Sequence, residues 1–247
     1  MKALNLSCLR ILALICAVTI LPGCEAATDA DNANGAVEVA ALSASDAPLP
    51  AANVNLTARN IYVVFDGSGS MEESIPGSDQ FSTRLAGAKW AVHQFIDGLP
   101  DNINLGLYVF DQSGSREVLP LGPDNKAEFL SQIDAVVANN GTPLGESIEA
   151  AVKALKVQQA KQKPYGEFRL LVVTDGHASD YIGRGVKQAH KSGFPLYTIG
   201  LGIGQDHELR KESRFYQDAK DAEQLSAALK AAGSELEDYA EPPADSK

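Results

Sequence analysis

Three short polar motifs supply the side chains with which this chain of 247 residues could do chemistry. The motifs are DGSGS at 66–70, NGTP at 140–143 and TDG at 174–176. Their residues of interest offer two carboxylates and three hydroxyls, and such an all-oxygen set suits a hard divalent cation such as Mg²⁺. The candidate metal ligands are Asp66, Ser68, Ser70, Thr142 and Asp175.

The pattern of apolar residues predicts the elements that must position these motifs. Short apolar, β-branched runs at 61–65 and 168–173 are typical of strands buried on both faces. Further strands are predicted at 103–110, 116–119, 196–199 and 214–217, and helical spacing predicts helices at 84–99, 126–137, 144–155, 182–191 and 225–236. This alternation predicts an α/β fold, with a doubly wound, mostly parallel sheet and helices on both faces in a single domain.

The first and third motifs each follow one of the two buried strands. Loops at the carboxyl ends of the strands form the ligand crevice of a doubly wound sheet, so we expect Asp66 and Asp175 at the same edge. The glycines of the first motif let the backbone turn tightly around a small ligand. The second motif precedes a predicted helix, and we expect the hydroxyl of Thr142 to reach the same point.

Together and in this order, the three motifs resemble the metal-ion-dependent adhesion site of the von Willebrand factor type A (VWA) domain. The resemblance covers about residues 58–236, and none of the five positions is substituted. It implies a six-stranded, mostly parallel sheet, in which the run at 116–119 would be a short antiparallel edge strand.

The same resemblance assigns a role to each candidate ligand. It implies that Ser68 and Ser70 bind the metal directly through their hydroxyls, and that Thr142 binds directly or through water. It also implies that Asp66 and Asp175 hold the metal mostly through waters. The expected cofactor is Mg²⁺, with Mn²⁺ or Ca²⁺ as alternatives.

The formal charges of the candidate ligands predict what such a centre does. Two aspartates only just neutralise a divalent cation, and hydroxyls add no charge, so the cation can accept a further oxygen. We therefore expect a metal-dependent protein-binding module, for adhesion or assembly, that holds a Glu or Asp carboxylate of a partner protein and is not an enzyme. Two alternatives stay open: a metal-assisted phosphohydrolase with Asp66 as nucleophile, and a structural envelope lipoprotein whose metal only stabilises the fold.

The overall charge excludes one class of partner. With 21 Lys and Arg against 32 Asp and Glu, the net charge is −11, whereas nucleic-acid binders need a basic face. The same balance disfavours electrostatic adsorption to anionic lipid, so we expect membrane contact only through a lipid anchor.

The N-terminal residues predict an export signal. Basic residues flank or precede an apolar stretch at 11–21, which is too short for a transmembrane helix. The stretch ends in LPGC, which resembles a bacterial lipobox with Cys24 as the lipidated residue. We therefore predict a lipoprotein signal peptide at 1–23 and a place in the bacterial cell envelope, at the outer membrane because residue 25 is not Asp. The alternative is an ordinary signal peptide with an incidental cysteine.

The rest of the chain divides around the predicted domain at 59–236. Residues 24–58 are predicted to be a disordered acidic tether, and 237–247 an acidic tail. All three cysteines lie within the first 24 residues, so the domain has no disulfide and no cysteine metal site. His177 is interpreted as a surface-loop residue, and the other three histidines show no ligand spacing.

Overall fold

The computed structural model describes residues 54–75, 79–163 and 165–234. The predicted signal peptide, Cys24, most of the tether and the tail at 237–247 lie outside these residues. The last predicted tether residues are held on the domain, because the side-chain amide of Gln162 donates to the carbonyl oxygens of Leu56 and Ala58 at 3.1 and 3.0 Å. Within the described ranges, no helix has both the length and the apolarity needed to cross a bilayer.

Six strands form one sheet in the order β3-β2-β1-β4-β5-β6. The strands are β1 Arg59–Asp66, β2 Ile103–Asp111, β3 Gly114–Gly122, β4 Glu167–Thr174, β5 Leu196–Leu201 and β6 Phe215–Ala219. All neighbours pair in parallel except β2 and β3, which are antiparallel. The predicted mostly parallel, six-stranded sheet is therefore confirmed.

Helices cover both faces of this sheet, as the sequence predicts. They are α1 Arg84–Asp97, α2 Lys126–Asp134, α3 Leu144–Lys161, α4 Gly183–Lys191 and α5 Ala222–Ser234, with a 3₁₀ turn at Gly69–Glu72. Alternate residues of β1 enter two different cores: Val63 and Phe65 pack with α1, α2 and α5, whereas Val64 packs with α3 and α4. Burying a side chain of this size contributes about 1.5–3 kcal/mol, so both faces hold β1 in place.

Several element boundaries differ from the predicted ones. The edge strand β3 has nine residues rather than the expected short run at 116–119, because only Leu119 on it is buried and the apolar pattern covers just its centre. Helix α3 runs on to Lys161 rather than ending at 155, and α2 ends at Asp134 rather than at 137. The end of α3 lies away from the motifs, whereas the residues that follow α2 place Val136 beside the turn at Gly67.

The order of the strands creates a crevice between β1 and β4. From β1 the chain crosses to β2 on one side, and β4 later pairs with the other side of β1. Such a switch in direction leaves an opening outside the carboxyl ends of the two strands. DGSGS begins at the end of β1 and TDG at the end of β4, so both motifs face this opening.

Candidate metal centre

A tight turn follows β1 and begins the centre. The N–H of Gly67 donates to the carbonyl oxygen of Phe110 at 2.8 Å, which brings the turn close to the end of β2. A Cβ at position 67 would lie 2.6 Å from Cγ1 of Val136 and 2.9 Å from Cβ of Asp111. Only glycine therefore fits at this position without a shift of its neighbours.

Three predicted ligands meet at the end of the crevice. The Oγ atoms of Ser68 and Ser70 lie 3.1 Å apart, and Oγ of Ser70 donates to Oδ1 of Asp175 at 2.7 Å. In octahedral coordination at 2.0–2.1 Å, adjacent oxygen ligands of Mg²⁺ are separated by about 3 Å. The spacing of the two serine oxygens therefore fits a small octahedral cation.

Thr142 reaches the same space from a different loop. The carbonyl oxygen of Asn140 accepts from the N–H of Gly69 at 3.0 Å, which ties the second motif to the first. A Cβ at Gly176 would lie 3.8 Å from both Oγ of Ser70 and Oγ1 of Thr142, so the two hydroxyls border the same space. The loops thus bring the second motif to the site that the first and third motifs form.

Asp66 lies beneath these oxygens rather than among them. Its side chain is fully buried, Oδ1 accepts from the N–H of Ser68 at 2.7 Å, and Oδ2 accepts from the hydroxyl of Thr174 at 2.5 Å. Burial and, to a lesser degree, the nearby charge of Asp175 raise the pKa of Asp66 to about 6, against the hydrogen bonds that lower it. Asp66 therefore orients the first and third motifs and supplies a buried negative charge that a cation would stabilise.

A positively charged side chain also enters the centre. Nη1 of Arg84 lies 3.0 Å from Oδ2 of Asp175 and 3.1 Å from Oε2 of Glu73. No motif in the sequence singles out Arg84, although it is the first residue of α1 and follows the loop after β1. The charges of Arg84, Glu73, Asp66 and Asp175 sum to −2, so a divalent cation would balance the centre, and its neutral hydroxyl ligands leave it able to accept an anionic oxygen.

Two of the four histidines lie side by side in the structure, next to a glutamate. His207 stacks on His177 with ring centroids 5.0 Å apart, and the carboxylate of Glu208 lies beside both. The sequence carries no signal for this cluster, since residues 177 and 207 are 30 positions apart. They meet because the loops after β4 and β5 leave neighbouring strands of the sheet.

Comparison with known proteins finds similar sequences in bacteria and in mammals. YwmC of Bacillus subtilis, an uncharacterized protein, is 25% identical over 162 residues, which cover 60% of this chain and 67% of YwmC. Five further curated relatives are longer, and the chain spans only 6% to 44% of their lengths.

Two solved structures show the same fold. The pilus adhesin SpaC of Lactobacillus rhamnosus GG superposes with a TM-score of 0.57 at 18% identity, covering 74% of this chain and 31% of SpaC. The manganese-loaded TRAP protein of Plasmodium vivax gives a TM-score of 0.54 at 20% identity, covering 72% of this chain and 74% of TRAP.

The family model for the von Willebrand factor type A domain matches residues 60–231, which is well over half of the chain and spans all six strands. The chain belongs to the von Willebrand factor type A domain family.

Proposed function

We propose that this domain binds a partner protein through a divalent cation held by Ser68, Ser70 and Thr142, with Asp66 and Asp175 as its buried charges. The cation would present an open position to a Glu or Asp carboxylate of the partner. One observation carries the proposal: the hydroxyl oxygens of Ser68 and Ser70 lie 3.1 Å apart, as adjacent ligands of a small cation do, and Ser70 is hydrogen-bonded to the carboxylate of Asp175 at 2.7 Å.

The small number of carboxylates at the centre favours Mg²⁺ or Mn²⁺ over Ca²⁺. Ca²⁺ takes six to eight oxygen ligands, often from several carboxylates and carbonyls, whereas Mg²⁺ keeps several waters and is bound through one or two carboxylates. The manganese-loaded relative supports a small cation of this kind.

Exposed apolar side chains near the centre support a protein as the ligand. Tyr181 is 78% exposed and Val137 is 52% exposed. Each lies on a segment that is hydrogen-bonded to the motif loops: Ser179 donates its N–H to the carbonyl oxygen of Thr142, and Asn139 donates its N–H to that of Gly67. Aromatic and apolar side chains around a polar centre are typical of protein interfaces.

The position of Asp66 does not support the phosphohydrolase alternative, in which this residue is the nucleophile. The Asp66 carboxylate is fully buried, and both of its oxygens already accept hydrogen bonds from protein groups. An attacking oxygen must reach the substrate, and neither oxygen of Asp66 faces the crevice opening freely. We therefore favour binding over hydrolysis.

We further propose that the domain is displayed on the bacterial cell envelope by a lipid on Cys24. The LPGC sequence and the acidic segment at 24–58 support this, and the likeness to a pilus adhesin agrees with a surface role. Replacement of Cys24 by Ala should release the protein from the membrane fraction and abolish incorporation of a labelled fatty acid. Cys16→Ala is the matched control, and equal fractionation of both variants would contradict the anchor.

The binding function is tested by capture from envelope extracts with the wild-type protein, Ser68→Ala, and the exposed control Ser131→Ala. We expect Mg²⁺ affinity, measured by calorimetry, to fall only in Ser68→Ala, and partner capture to require both Mg²⁺ and Ser68. Capture that persists unchanged in EDTA would contradict the proposal. A Mg²⁺-dependent rise in melting temperature with no Mg²⁺-dependent capture would instead favour the purely structural role.

A further inference from the structure

A second group of ligating side chains lies beside the candidate metal centre. We call that first site the oxygen centre; it consists of Asp66, Ser68, Ser70, Thr142 and Asp175, and the second group shares no residue with it. His177, His207 and Glu208 each place one ligand atom within 4.8 Å of the other two. We propose that this cluster is a second metal site, which takes a borderline transition-metal ion such as Zn²⁺. Two imidazoles and one carboxylate are a known ligand set for Zn²⁺, with water in the fourth position.

His207 already has the protonation state of a metal ligand. Its ring is fully buried, Nε2 donates to the carbonyl oxygen of Gly176 at 3.0 Å, and Nδ1 accepts from the N–H of Leu209 at 3.1 Å. The proton must therefore be on Nε2, and Nδ1 carries a lone pair. Metal-bound histidines commonly donate their other ring N–H to a backbone carbonyl in this way.

Glu208 is held in place as an ionised carboxylate. Its Oε1 accepts from the N–H of Ala178 at 2.5 Å, and Oε2 lies 2.6 Å from Nδ1 of His177 and 3.9 Å from Nδ1 of His207. Partial burial raises the pKa of Glu208, but hydrogen bonds from Ala178, its own N–H and His177 outweigh this and leave the pKa below its usual value. The carboxylate is therefore charged and directed at both rings near neutral pH.

His177 supplies the movement that binding needs. Ligands around tetrahedral Zn²⁺ are about 3.4 Å apart, so the 2.6 Å pair of His177 and Glu208 must separate while the cluster closes from its limit of 4.8 Å. The side chain of His177 is 57% exposed, so it can turn once its hydrogen bond to Glu208 breaks, and its exposed side gives an ion a path from solvent. Binding would displace the Leu209 N–H from Nδ1 of His207 and would break the hydrogen bond between His177 and Glu208.

The two sites would select different ions and yet share one loop. Mg²⁺ prefers oxygen ligands, whereas imidazole suits Zn²⁺, so the sites need not compete. Only Gly176 separates Asp175 from His177. An ion on the cluster would hold the loop after β4 to the loop after β5, and so would restrict the segment that carries Asp175.

The experiment uses the full-length chain without a histidine tag, with Cys8, Cys16 and Cys24 replaced by Ser in every arm so that no thiol competes. Zn²⁺ is titrated by calorimetry in excess Mg²⁺, and Co²⁺ is added as a probe whose visible absorption reports four-coordinate nitrogen and oxygen ligation. The test variants are His177→Ala and Glu208→Gln. The matched control is His190→Ala, because His190 also lies near a glutamate, Glu212 at 3.7 Å, and belongs to no three-ligand group among the described residues.

We expect His177→Ala and Glu208→Gln to weaken Zn²⁺ binding by more than about tenfold and to abolish the Co²⁺ absorption, since even outer partners of a metal site change affinity by 10- to 100-fold. His190→Ala should match the wild-type chain. Ser68→Ala should keep the Zn²⁺ site, which separates this proposal from the oxygen centre. Unchanged Zn²⁺ binding in both test variants, or loss of it only in Ser68→Ala, would overturn the second site.

Discussion

Nη1 of Arg84 lies 3.0 Å from Oδ2 of Asp175, so a guanidinium group neutralises the carboxylate that closes the oxygen centre. The side chain of Asp175 has no exposed surface, and that of Arg84 is 23% exposed. A buried carboxylate without a partner is costly, and Arg84 provides one before any cation arrives. The arginine and a bound cation therefore act on the same carboxylate.

Replacing Arg84 with Met tests this relationship. The metal-free protein should lose about 1–3 kcal/mol of unfolding free energy, because the change leaves a buried carboxylate without its partner. Mg²⁺ affinity should rise by about tenfold or more, since a unit charge at contact distance contributes on the order of 1–4 kcal/mol between bulk water and a protein surface. Urea unfolding in EDTA and calorimetry with Mg²⁺ measure the two effects.

The control for Arg84 is Arg184→Met, which removes an equal charge from an exposed side chain whose partner Glu149 lies 3.4 Å away. Exposed ion pairs contribute little, so this variant should match the wild type in both measurements. A loss of Mg²⁺ affinity in Arg84→Met, with unchanged metal-free stability, would show that the arginine does not compete with the cation.

The buried Asp66 should make the metal-free protein less stable as pH rises. Its pKa of about 6 in the folded state lies above the ordinary value of 3.8, so the folded state binds more protons between these values. The contribution to stability is fully present below about pH 4 and is lost as pH rises through about 6. By linkage the shift corresponds to about 3 kcal/mol at most.

Urea unfolding of the wild type and Asp66→Asn in EDTA, from pH 4 to 8, isolates this contribution as the difference between the two curves, because the other carboxylates titrate in both. In the wild type, bound Mg²⁺ should offset the loss of stability above pH 6. Mg²⁺ affinity should weaken below pH 6, where Asp66 gains its proton. Parallel curves for the two proteins across this range would refute the assignment.

The strands and the oxygen motifs were predictable because they depend on local pattern. The apolar runs before Asp66 and Asp175 indicate buried strands, and parallel strands must end at a common edge. The sequence could not show Arg84 or His207, because each reaches its partner across the fold. Arg84 depends on where α1 begins, and His207 on the adjacency of β4 and β5.

The apolar pattern underestimates the length of β3 for a different reason. An edge strand has one partner, and most of its residues remain partly exposed, so its apolar signal is short. Proline at position 120 would oppose a central strand, but an edge strand has a free side on which the missing N–H is tolerated. An apolar run therefore indicates which residues are buried, and it does not indicate how long the strand is.

Gly67 and Gly69 offer a matched pair that tests the turn after β1. A Cβ on Gly67 would lie 2.6 Å from Val136, whereas a Cβ on Gly69 would be 3.5 Å from its nearest neighbour, the carbonyl oxygen of Asn140. Gly67→Ala should therefore cost about 1–3 kcal/mol of unfolding free energy through overpacking and should weaken Mg²⁺ binding. Gly69→Ala should change both by much less, as urea unfolding and calorimetry will measure; equal effects would show that space does not decide which residue fits.

The exposed Tyr181 tests whether the surface around the oxygen centre contacts the partner. Tyr181→Ser should weaken partner capture, because aromatic anchors carry a large share of binding energy at protein interfaces, while leaving Mg²⁺ affinity unchanged. Tyr165→Ser is the control: Tyr165 is 63% exposed but precedes β4, at the opposite edge of the sheet from the motifs. Capture from envelope extracts in Mg²⁺ compares the two. If Tyr165→Ser reduced capture and Tyr181→Ser did not, the partner would lie on the far edge of the sheet, and the metal would have to act on it indirectly.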